Sequence, residues 1–389
     1  MKRFKTAESV CAAHPDKVCD FISDCILDAC LEQDENSRVA CEVMASRGEI
    51  HIAGEITTKA HINPKCIAGE ALMVLGYDPG DFKIYVNVHK QSVDIKAGVD
   101  HAIEYRNDPL QPQEIGAGDQ GTVYGYATDE TESNLPLQLE MAHTICKTLD
   151  GFMDRLPLGP DGKCQVTVEC GEDGRPERVS TIVVSVQHED DVPVGIVKKL
   201  VTEMVLPKAL SEYTDYIDEE TEILVNPSGR FVEGGPAADT GLTGRKIIVD
   251  TYGGEAAHGG GAFSGKDPTK VDRSGAYMAR AIANNVVDAG LAHRCQVAIS
   301  YAIGKSEPVM VEVETFGTNL YPEEMIRDMI RDIFDMTPQG IIMELGLCAP
   351  IYSLTSAYGH FSNKDFPWES FNKIRAIRKW VERFGEDYN

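Results

Sequence analysis

A glycine-rich stretch at residues 253–274 combines the residue types that bind phosphate. It reads GGEAAHGGGAFSGKDPTKVDRS and lies between a strand-like run and a strongly periodic helix. Glycines lack Cβ atoms, so their backbone N–H groups can close on an anion. Lys266 and Lys270 add positive charge, while Asp267 and Asp272 could hold a divalent metal on the same ligand. The stretch therefore predicts a site for a triphosphate with its magnesium.

Two other interpretations apply to this loop. A glycine cluster alone is often only a flexible connection, although the interleaved charges argue against that here. Gly260 and Gly265 have the spacing of a P-loop with Lys266, but Asp267 stands where the magnesium-binding Ser or Thr belongs. The loop is predicted to bind phosphate without being a P-loop.

A second motif, His14-Pro15-Asp16-Lys17, opens the first predicted helix. Proline at the first helical position and an acid in the first turn both favour a helix start, so capping alone can explain Asp16. In the functional interpretation, His14 donates a hydrogen bond to a phosphate oxygen and Asp16 binds a metal. Both interpretations stay open on these residues alone.

A third motif, GAGDQG at residues 116–121, precedes a predicted strand. It is either a plain turn or a place where Asp119 is held on closely approached backbone. An acid in that position suits a ribose hydroxyl or a developing cation. Gly234-Gly235-Pro236 followed by Asp239 has a similar character.

The composition is that of a soluble globular chain. At 389 residues, and with roughly 150 residues per domain, it should hold two or three domains. The net charge of −25 argues against nucleic acid and anionic membrane as partners. No apolar run reaches membrane-spanning length and the start lacks a signal-peptide core, so neither is expected. The 11 cysteines have no C-x-x-C pair, which favours reduced thiols in a cytoplasmic enzyme.

The elements that must position these motifs alternate between helix and strand in a pattern that occurs three times. Helical periodicity predicts helices at 18–28, 64–75, 137–153, 195–210 and 322–334, with another after the glycine loop that ends at Gly290. Alternation predicts strands at 38–44, 83–88, 122–127, 165–169, 180–187, 222–225, 246–250, 295–302 and 309–314. This order implies an α+β fold with mixed or antiparallel sheets and helices on one face.

Pro-, Gly- and Asn-bearing stretches near 100–112 and 226–232 predict three segments. These are an N-terminal segment at 1–111, a central one at 112–228 and a C-terminal one at 229–389 with the glycine-rich loop. Residues 96–115 have little periodicity, which predicts a mobile lid at about 92–111; a plain surface loop is the alternative.

Taken together, these motifs resemble the S-adenosylmethionine synthetase (methionine adenosyltransferase) family over nearly the whole chain, from Glu8 to Trp368. Seven segments in the family's order carry the resemblance: HPDK at 14–17, GEITT at 54–58, GAGDQG at 116–121, NPSGRFVEGGP at 226–236, GLTGRKIIVDTYGG at 241–254, HGGGAFSGKDPTKVDRS at 258–274 and YGHF at 358–361. The resemblance implies three similar, intertwined α+β domains around a pseudo-threefold axis. It also implies a homodimer with active sites at the subunit interface, which can pair into a homotetramer.

The resemblance assigns roles residue by residue. Catalytic roles would fall to His14, Lys163, Arg245, Lys266 and Asp119. ATP would contact His14, Lys163, Arg230, Phe231, Asp239, Arg245, Lys246, Ala262 and Lys266, with Phe231 stacked on adenine. Methionine would contact Glu55, Gln91, Asp239 and Lys270. Asp16 and Asp272 would ligate two Mg²⁺ ions, and Glu42 would lie at a K⁺ site.

The implied reaction joins ATP and L-methionine by attack of the methionine sulfur on ribose C5′. It releases triphosphate, which the same site then hydrolyses to pyrophosphate and phosphate. A thioether has no proton to remove, so the barrier falls by alignment and by stabilisation of the leaving group. Two alternatives stay open: a phosphoryl-transferring ATPase or kinase, and an inactive nucleotide-binding regulatory subunit.

Some positions depart from the family pattern. Cys11-Ala12-Ala13 replaces the usual residues before His14, and Ala13 would be strained if its position takes a positive φ. Val93 replaces the proline of Gln-Ser-Pro-Asp, and Gly162 replaces the usual alanine beside Lys163. These changes bear on His14 and on the lid more than on the type of reaction.

Overall fold

A computed structural model describes residues 3–92, 100–108, 115–361 and 363–388. Half of the predicted lid, 93–99 and 109–111, lies outside these described residues, and Val93 is in that half. The part of the lid that is described, 100–108, contains a short helix at Ile103–Asn107.

The described chain contains strands in three sheets. In chain order they are β1 Arg3–Val10, β2 Arg38–Ser46, β3 Glu49–Thr57, β4 Lys83–His89, β5 Gly121–Thr128, β6 Leu158–Cys170, β7 Pro176–His188, β8 Glu222–Val225, β9 Gly241–Leu242, β10 Arg294–Tyr301 and β11 Met310–Glu314.

The helices lie between these strands and after them. In chain order they are α1 Pro15–Leu31, α2 Pro64–Val74, α3 Ile103–Asn107, α4 Leu137–Asp150, α5 Val194–Leu200, α6 Leu206–Ala209, α7 Ile247–Asp250, α8 Val271–Asp288, α9 Glu323–Ile333, α10 Pro338–Glu344 and α11 Ile374–Phe384. A π-helical turn, Val201–Val205, joins α5 to α6.

The strand orders are β1-β6-β7-β8, β11-β10-β5 and β4-β3-β2-β9. Most pairs are antiparallel, but β3 with β4 and β7 with β8 are parallel, so two sheets are mixed. Each sheet also joins strands that are distant in sequence: β1 pairs with β6, β5 with β10, and β2 with β9. The fold is therefore of the α+β class, as predicted, with the three sheets interlinked along the chain.

Two helices carry the buried side of the site. Helix α8 buries nearly its whole length and approaches β5 so closely that a Cβ on Gly125 would lie 2.0 Å from the Ala279 carbonyl carbon. Its end is as predicted, because Gly290 follows with φ 82°. Helix α1 begins at Pro15, with His14 as its N-cap, and packs against β2 and α2. Both helices share one core cluster, while α4 packs with β6 and β7 in a second.

One predicted element is wrong. Residues 246–250 were expected to form a strand because of the β-branched run Ile247-Ile248-Val249, but they form the helical turn α7. The Asp250 N–H donates to the Lys246 carbonyl at 2.8 Å, and the Asp250 side chain is held by buried groups. Tertiary contacts thus override a strand propensity in so short a segment.

Candidate active site

A surface cavity of about 390 Å³ gathers six of the predicted site residues. They are Glu55, Gln91, Asp119, Lys266, Lys270 and Asp272. Arg38, His89 and Lys90, which the motifs did not single out, also line it. We call this the substrate cavity. Its size and its mixture of acids and bases suit a small zwitterionic or anionic molecule.

Two pairs of charged side chains and one further acid line the substrate cavity. The Glu55 carboxylate lies 3.2 Å from His89 Nε2. Lys266 Nζ donates to Asp272 Oδ2 at 2.7 Å. Asp119 is exposed, and its carboxylate accepts the N–H of Gln120 at 2.7 Å. The cavity thus offers both an acid and a base to a ligand with charges of both signs.

The glycine-rich loop brings Lys266 to this cavity by close contact with β2. Gly265 has φ 78°, and a Cβ there would lie 1.9 Å from the Cys41 carbonyl oxygen. The Cys41 N–H donates to the Gly265 carbonyl at 2.9 Å, which ties the loop to the strand. At Gly261 a Cβ would lie 2.3 Å from the Asp272 carboxyl carbon, so glycine backbone packs directly against that acid. Gly265 is required, because its positive φ and the Cys41 backbone both exclude a side chain there.

Asp267 is not a metal ligand, contrary to the prediction from the loop composition. Its side chain is fully buried, and both carboxylate oxygens are engaged. Oδ1 accepts the N–H and hydroxyl of Thr269, while Oδ2 accepts the Val39 N–H at 2.6 Å and pairs with Lys270. Asp267 therefore holds the loop in place and does not face a ligand.

A second group of predicted residues surrounds Asp16 at the start of α1. Lys246 Nζ donates to Asp16 Oδ2 at 2.6 Å, and Arg245 Nε lies 3.7 Å from Asp16 Oδ1. His14 lies beside them and near Lys163, close enough for the lysine charges to lower its pKa. We call His14, Asp16, Lys163, Arg245 and Lys246 the cationic cluster. Among the described residues that line the substrate cavity, none belongs to this cluster.

His14 in the cationic cluster is a neutral donor at physiological pH. Burial, and then the positive charge of Lys246, lower the pKa of His14 to about 4. Its Nδ1 accepts the Asp16 N–H at 3.2 Å, so the neutral ring carries its proton on Nε2. That N–H is available for an anionic oxygen.

Asp16 is held as a carboxylate. Burial would raise the pKa of Asp16, but the hydrogen bonds from Lys246 and from the Leu242 N–H outweigh burial and lower it. Its side chain is only 4% exposed, so a metal would reach it only if Lys246 moved to another partner.

Phe231 lies in a segment that is pinned to the ends of β6 and β7. The Phe231 N–H donates to His188 Nε2 at 3.1 Å, and its carbonyl accepts the His188 N–H at 2.9 Å. Farther along, the Gly235 N–H donates to Asp161 Oδ2 at 2.8 Å, two residues from Lys163. The predicted adenine-stacking residue is thus brought to the side of the molecule that carries the cationic cluster.

The remaining predicted residues lie around these two groups. Arg230 pairs with Asp190 and is exposed, as is Asp239, whose charge acts on Asp161. Ala262 packs against Gly244, beside Arg245, because a Cβ on Gly244 would lie 2.4 Å from the Ala262 Cβ. Glu42 is exposed in the middle of β2, outside both groups.

No three His, Cys, Asp or Glu side chains of the described part of the chain converge as a metal site. Asp16 and Asp272 each offer a single carboxylate. That fits Mg²⁺, which is usually held by one or two carboxylates together with substrate phosphates. Glu42 is not part of any such group among the described residues.

The departures before His14 cause no backbone strain in the structure. Ala13 is buried and is not among the described residues with positive φ, and its carbonyl accepts the Tyr77 hydroxyl at 2.7 Å. Cys11 and Gly162 fit together, because a Cβ at 162 would lie only 3.0 Å from the Cys11 sulfur. The Cys11 sulfur occupies space that the methyl group of an alanine at position 162 would need.

Sequence reasoning missed the buried charges that support both groups. Lys17, Asp20, Asp24 and Arg273 are all at most 1% exposed. Asp24 accepts two hydrogen bonds from Arg273, at 2.7 and 2.9 Å, and one from the Gly265 N–H at 2.8 Å. The signal was present as aspartates spaced four residues apart on an otherwise apolar helix.

Comparison with known proteins identifies the family. Family models described as the N-terminal, central and C-terminal domains of S-adenosylmethionine synthetase match residues 2–99, 114–231 and 233–370. The chain is 48% identical to the S-adenosylmethionine synthase of Staphylococcus epidermidis, over 98% of each chain. It is 46% identical to the S-adenosylmethionine synthase of Clostridium botulinum, over 98% of this chain and 100% of the relative. It is 48% identical to the S-adenosylmethionine synthase of Finegoldia magna, over 97% of this chain and 99% of the relative. None of the described helices has the length and apolar character needed to cross a bilayer.

Proposed function

Because the chain belongs to the S-adenosylmethionine synthetase family, we propose that it makes S-adenosylmethionine from ATP and L-methionine by sulfur attack on ribose C5′. It is a methionine adenosyltransferase. The names of its relatives support this activity and give no support to an inactive regulatory subunit or to phosphoryl transfer. The observation that carries the proposal is the substrate cavity, where Glu55 and Gln91 share a wall with Lys266 and Asp272.

We assign the methionine-binding end of the substrate cavity by the charges of its side chains. The ammonium of methionine would pair with the Glu55 carboxylate, and its carboxylate with Lys270. Gln91 can donate and accept at the same ligand, and the Gln91 N–H is itself fixed by Thr57 Oγ1 at 3.0 Å. Asp239 is retained as a further methionine contact on the resemblance alone.

The leaving triphosphate would be held by the cationic cluster and by Lys266. Preorganised cationic side chains lower the barrier most when they contact negative charge that develops in the transition state. His14 would donate its Nε2 proton to a phosphate oxygen without adding a charge. Lys163, Arg245 and Lys246 would supply charge, and Arg230, Phe231 and Ala262 would contact the nucleoside end.

The sulfonium product carries a positive charge that the substrate sulfur lacks. Asp119, exposed in the wall of the substrate cavity, would offset that charge, with Asp239 as the second candidate. The sulfur has no proton to lose, so no general base is needed. Alignment of sulfur with C5′ and anions near the sulfur are sufficient.

We propose that Asp16 and Asp272 hold two Mg²⁺ ions. When bound, these ions would neutralise negative charge on the phosphates. Lys246 and Lys266, which pair with these two acids in the structure, would then turn to phosphate oxygens. A K⁺ ion near Glu42 rests on the resemblance.

We also propose a homodimer, which can pair into a homotetramer, with each active site between two subunits. The cationic cluster and the substrate cavity carry complementary parts of one reaction, yet the described lining of the cavity contains no member of the cluster. A site shared between subunits would bring the cluster of one protomer to the cavity of its partner. A cytoplasmic location and the segment boundaries at 111 and 228 remain predictions from the sequence.

Product analysis tests the activity. The purified chain, incubated with ATP, methionine, Mg²⁺ and K⁺, should yield the sulfonium product by mass spectrometry. Phosphorus NMR should show pyrophosphate and phosphate as the other products. Formation of ADP with no sulfonium would contradict the proposal and favour a phosphoryl-transferring enzyme.

A further inference from the structure

Helix α1 presents four aspartates on one side: Asp16, Asp20, Asp24 and Asp28. They are spaced four residues apart, and a helix turns once in about 3.6 residues, so they form a row. Each accepts a backbone N–H from a different part of the chain: Leu242 at 3.0 Å, Gly244 at 2.9 Å, Gly265 at 2.8 Å and Tyr352 at 2.9 Å. The row therefore fixes the backbone, and three of its bonds reach segments that carry predicted phosphate contacts.

Asp20 connects this row to the turn that bears Arg245 and Lys246. Its Oδ1 accepts the N–H of Gly244, where the turn begins, and its Oδ2 accepts a hydrogen bond from Lys17 Nζ at 2.9 Å. Lys17 Nζ also donates to Oδ1 of Asp250, where the turn ends, at 2.5 Å. One buried chain of three charged groups thus holds the turn 244–250 at both ends.

Burial makes these contacts obligatory. Asp20 is fully buried and Lys17 is 1% exposed, so neither charge can be satisfied by bulk water. The Lys17 ammonium donates at 2.9 Å to Asp20 Oδ2 and at 2.5 Å to Asp250 Oδ1, and all three side chains are at most 4% exposed. Lys17 therefore bridges the carboxyl groups of Asp20 and Asp250.

We propose that Asp20 and Lys17 are positioning residues that fix the turn 244–250, so that Arg245 and Lys246 face the triphosphate. Long cationic side chains stabilise a leaving group best when their backbone is already in place. Neither residue contacts substrate; both act through the turn. This inference rests on the proposed role of the cationic cluster.

Asp20→Asn tests the inference, with Asp28→Asn as its matched control. An amide keeps one acceptor oxygen and places donors where the second oxygen stood, so it cannot serve both Gly244 and Lys17. Asp28→Asn makes the same change in the same helix, where Asp28 accepts the N–H groups of Tyr352 and Ser353 at 2.9 and 2.8 Å, away from the turn.

Binding of inorganic tripolyphosphate with Mg²⁺ to the full-length protein, measured by calorimetry, gives a readout independent of turnover. We expect Asp20→Asn to weaken this binding roughly tenfold or more, since displaced catalytic groups lose effects of that order. Asp28→Asn should leave it unchanged within about twofold, although both variants lower the melting temperature. Equal affinities in the two variants would overturn the inference.

Coupling separates positioning from a general loss of structure. In a chain that already carries Arg245→Ala and Lys246→Ala, Asp20→Asn should have little further effect on tripolyphosphate binding, because the groups it positions are gone. An undiminished effect in that background would contradict the proposal.

If Asp20→Asn gives no folded protein, Lys17→Gln replaces it in the same measurements, since an amide cannot serve two carboxylates. Failure of both variants to fold would show that the residues only hold the fold, and the proposal would be wrong. A parent protein that makes no sulfonium, while the binding results stand, would contradict the proposed function alone.

Discussion

The ammonium of Lys266 lies 2.7 Å from the Asp272 carboxylate, at the wall of the substrate cavity. We predict that Lys266→Ala lowers kcat by about 10²- to 10³-fold, the usual cost of losing one preorganised charge contact. Steady-state formation of the sulfonium product measures this. Lys364→Ala is the control, because Lys364 is exposed and pairs only loosely with Glu132, at 3.7 Å. Near-normal turnover of Lys266→Ala would show that Lys266 does not contact the leaving triphosphate.

His14 should make stability depend on pH. Its pKa is lowered to about 4 in the folded protein, chiefly by burial, against about 6.5 for a free histidine. Between these values the unfolded chain binds more protons, so stability rises with pH in this window and is lost as pH falls. His14→Gln should reduce that slope by up to about 1.4 kcal/mol per pH unit. Denaturant unfolding between these pH values measures it; equal slopes in parent and variant would contradict the assignment.

Single residues were predicted best where a motif places side chains next to each other in sequence. Lys266, Lys270 and Asp272 follow the glycine loop and do line one cavity. The prediction that Asp267 could hold a metal was wrong. Composition does not distinguish an acid that faces a ligand from one that hydrogen-bonds within its own loop. Lys17 and Asp20 were missed because their partners, Asp250 and Gly244, lie more than 200 residues away.

Among the elements, the glycine loop allows the sharpest test. Gly265 and Gly260 both have positive φ, but only at Gly265 would a Cβ meet a neighbour, the Cys41 carbonyl oxygen at 1.9 Å. We predict that Gly265→Ala lowers the melting temperature more than Gly260→Ala does. It should also weaken tripolyphosphate binding, since it displaces Lys266. Equal effects of the two substitutions would mean that backbone conformation alone matters in this loop.

Long periodic elements could be predicted, and short or irregular ones could not. The helix at 137–150 and the strand at 294–301 match the prediction closely. By contrast, the strand expected at 246–250 is the turn α7, fixed by contacts to α1 that leave no local signal. The predicted helix at 195–210 contains a π-helical turn at Val201–Val205, just before Pro207, which lacks a backbone N–H.

At the scale of the whole molecule, the sheets link distant segments, which no local pattern predicts. β1 extends the sheet of β6 and β7, so the N terminus is held more than 150 residues away in sequence. The three sequence segments are thus not independent bodies. Helical periodicity and the alternation of strand residues predicted the α+β class. The pairing of the strands is seen only in the structure.

Complementation tests the proposed shared site. If the cationic cluster of one protomer serves the substrate cavity of its partner, His14→Ala and Lys266→Ala damage opposite halves of each site. Coexpression in equal amounts should then restore about a quarter of parental activity, because half of the dimers are mixed and each has one intact site. Each variant alone should be nearly inactive. No restoration in purified mixed dimers would mean that both groups act within one chain.

The bond that breaks in ATP is the most direct evidence for the chemistry. We would label the oxygen that bridges C5′ and the α-phosphorus with ¹⁸O and follow the products by phosphorus NMR and mass spectrometry. Sulfur attack on C5′ with loss of intact triphosphate predicts that all of the label appears in the released pyrophosphate and phosphate and none in the sulfonium product. Label retained on the adenosyl group, or release of ADP, would contradict that mechanism.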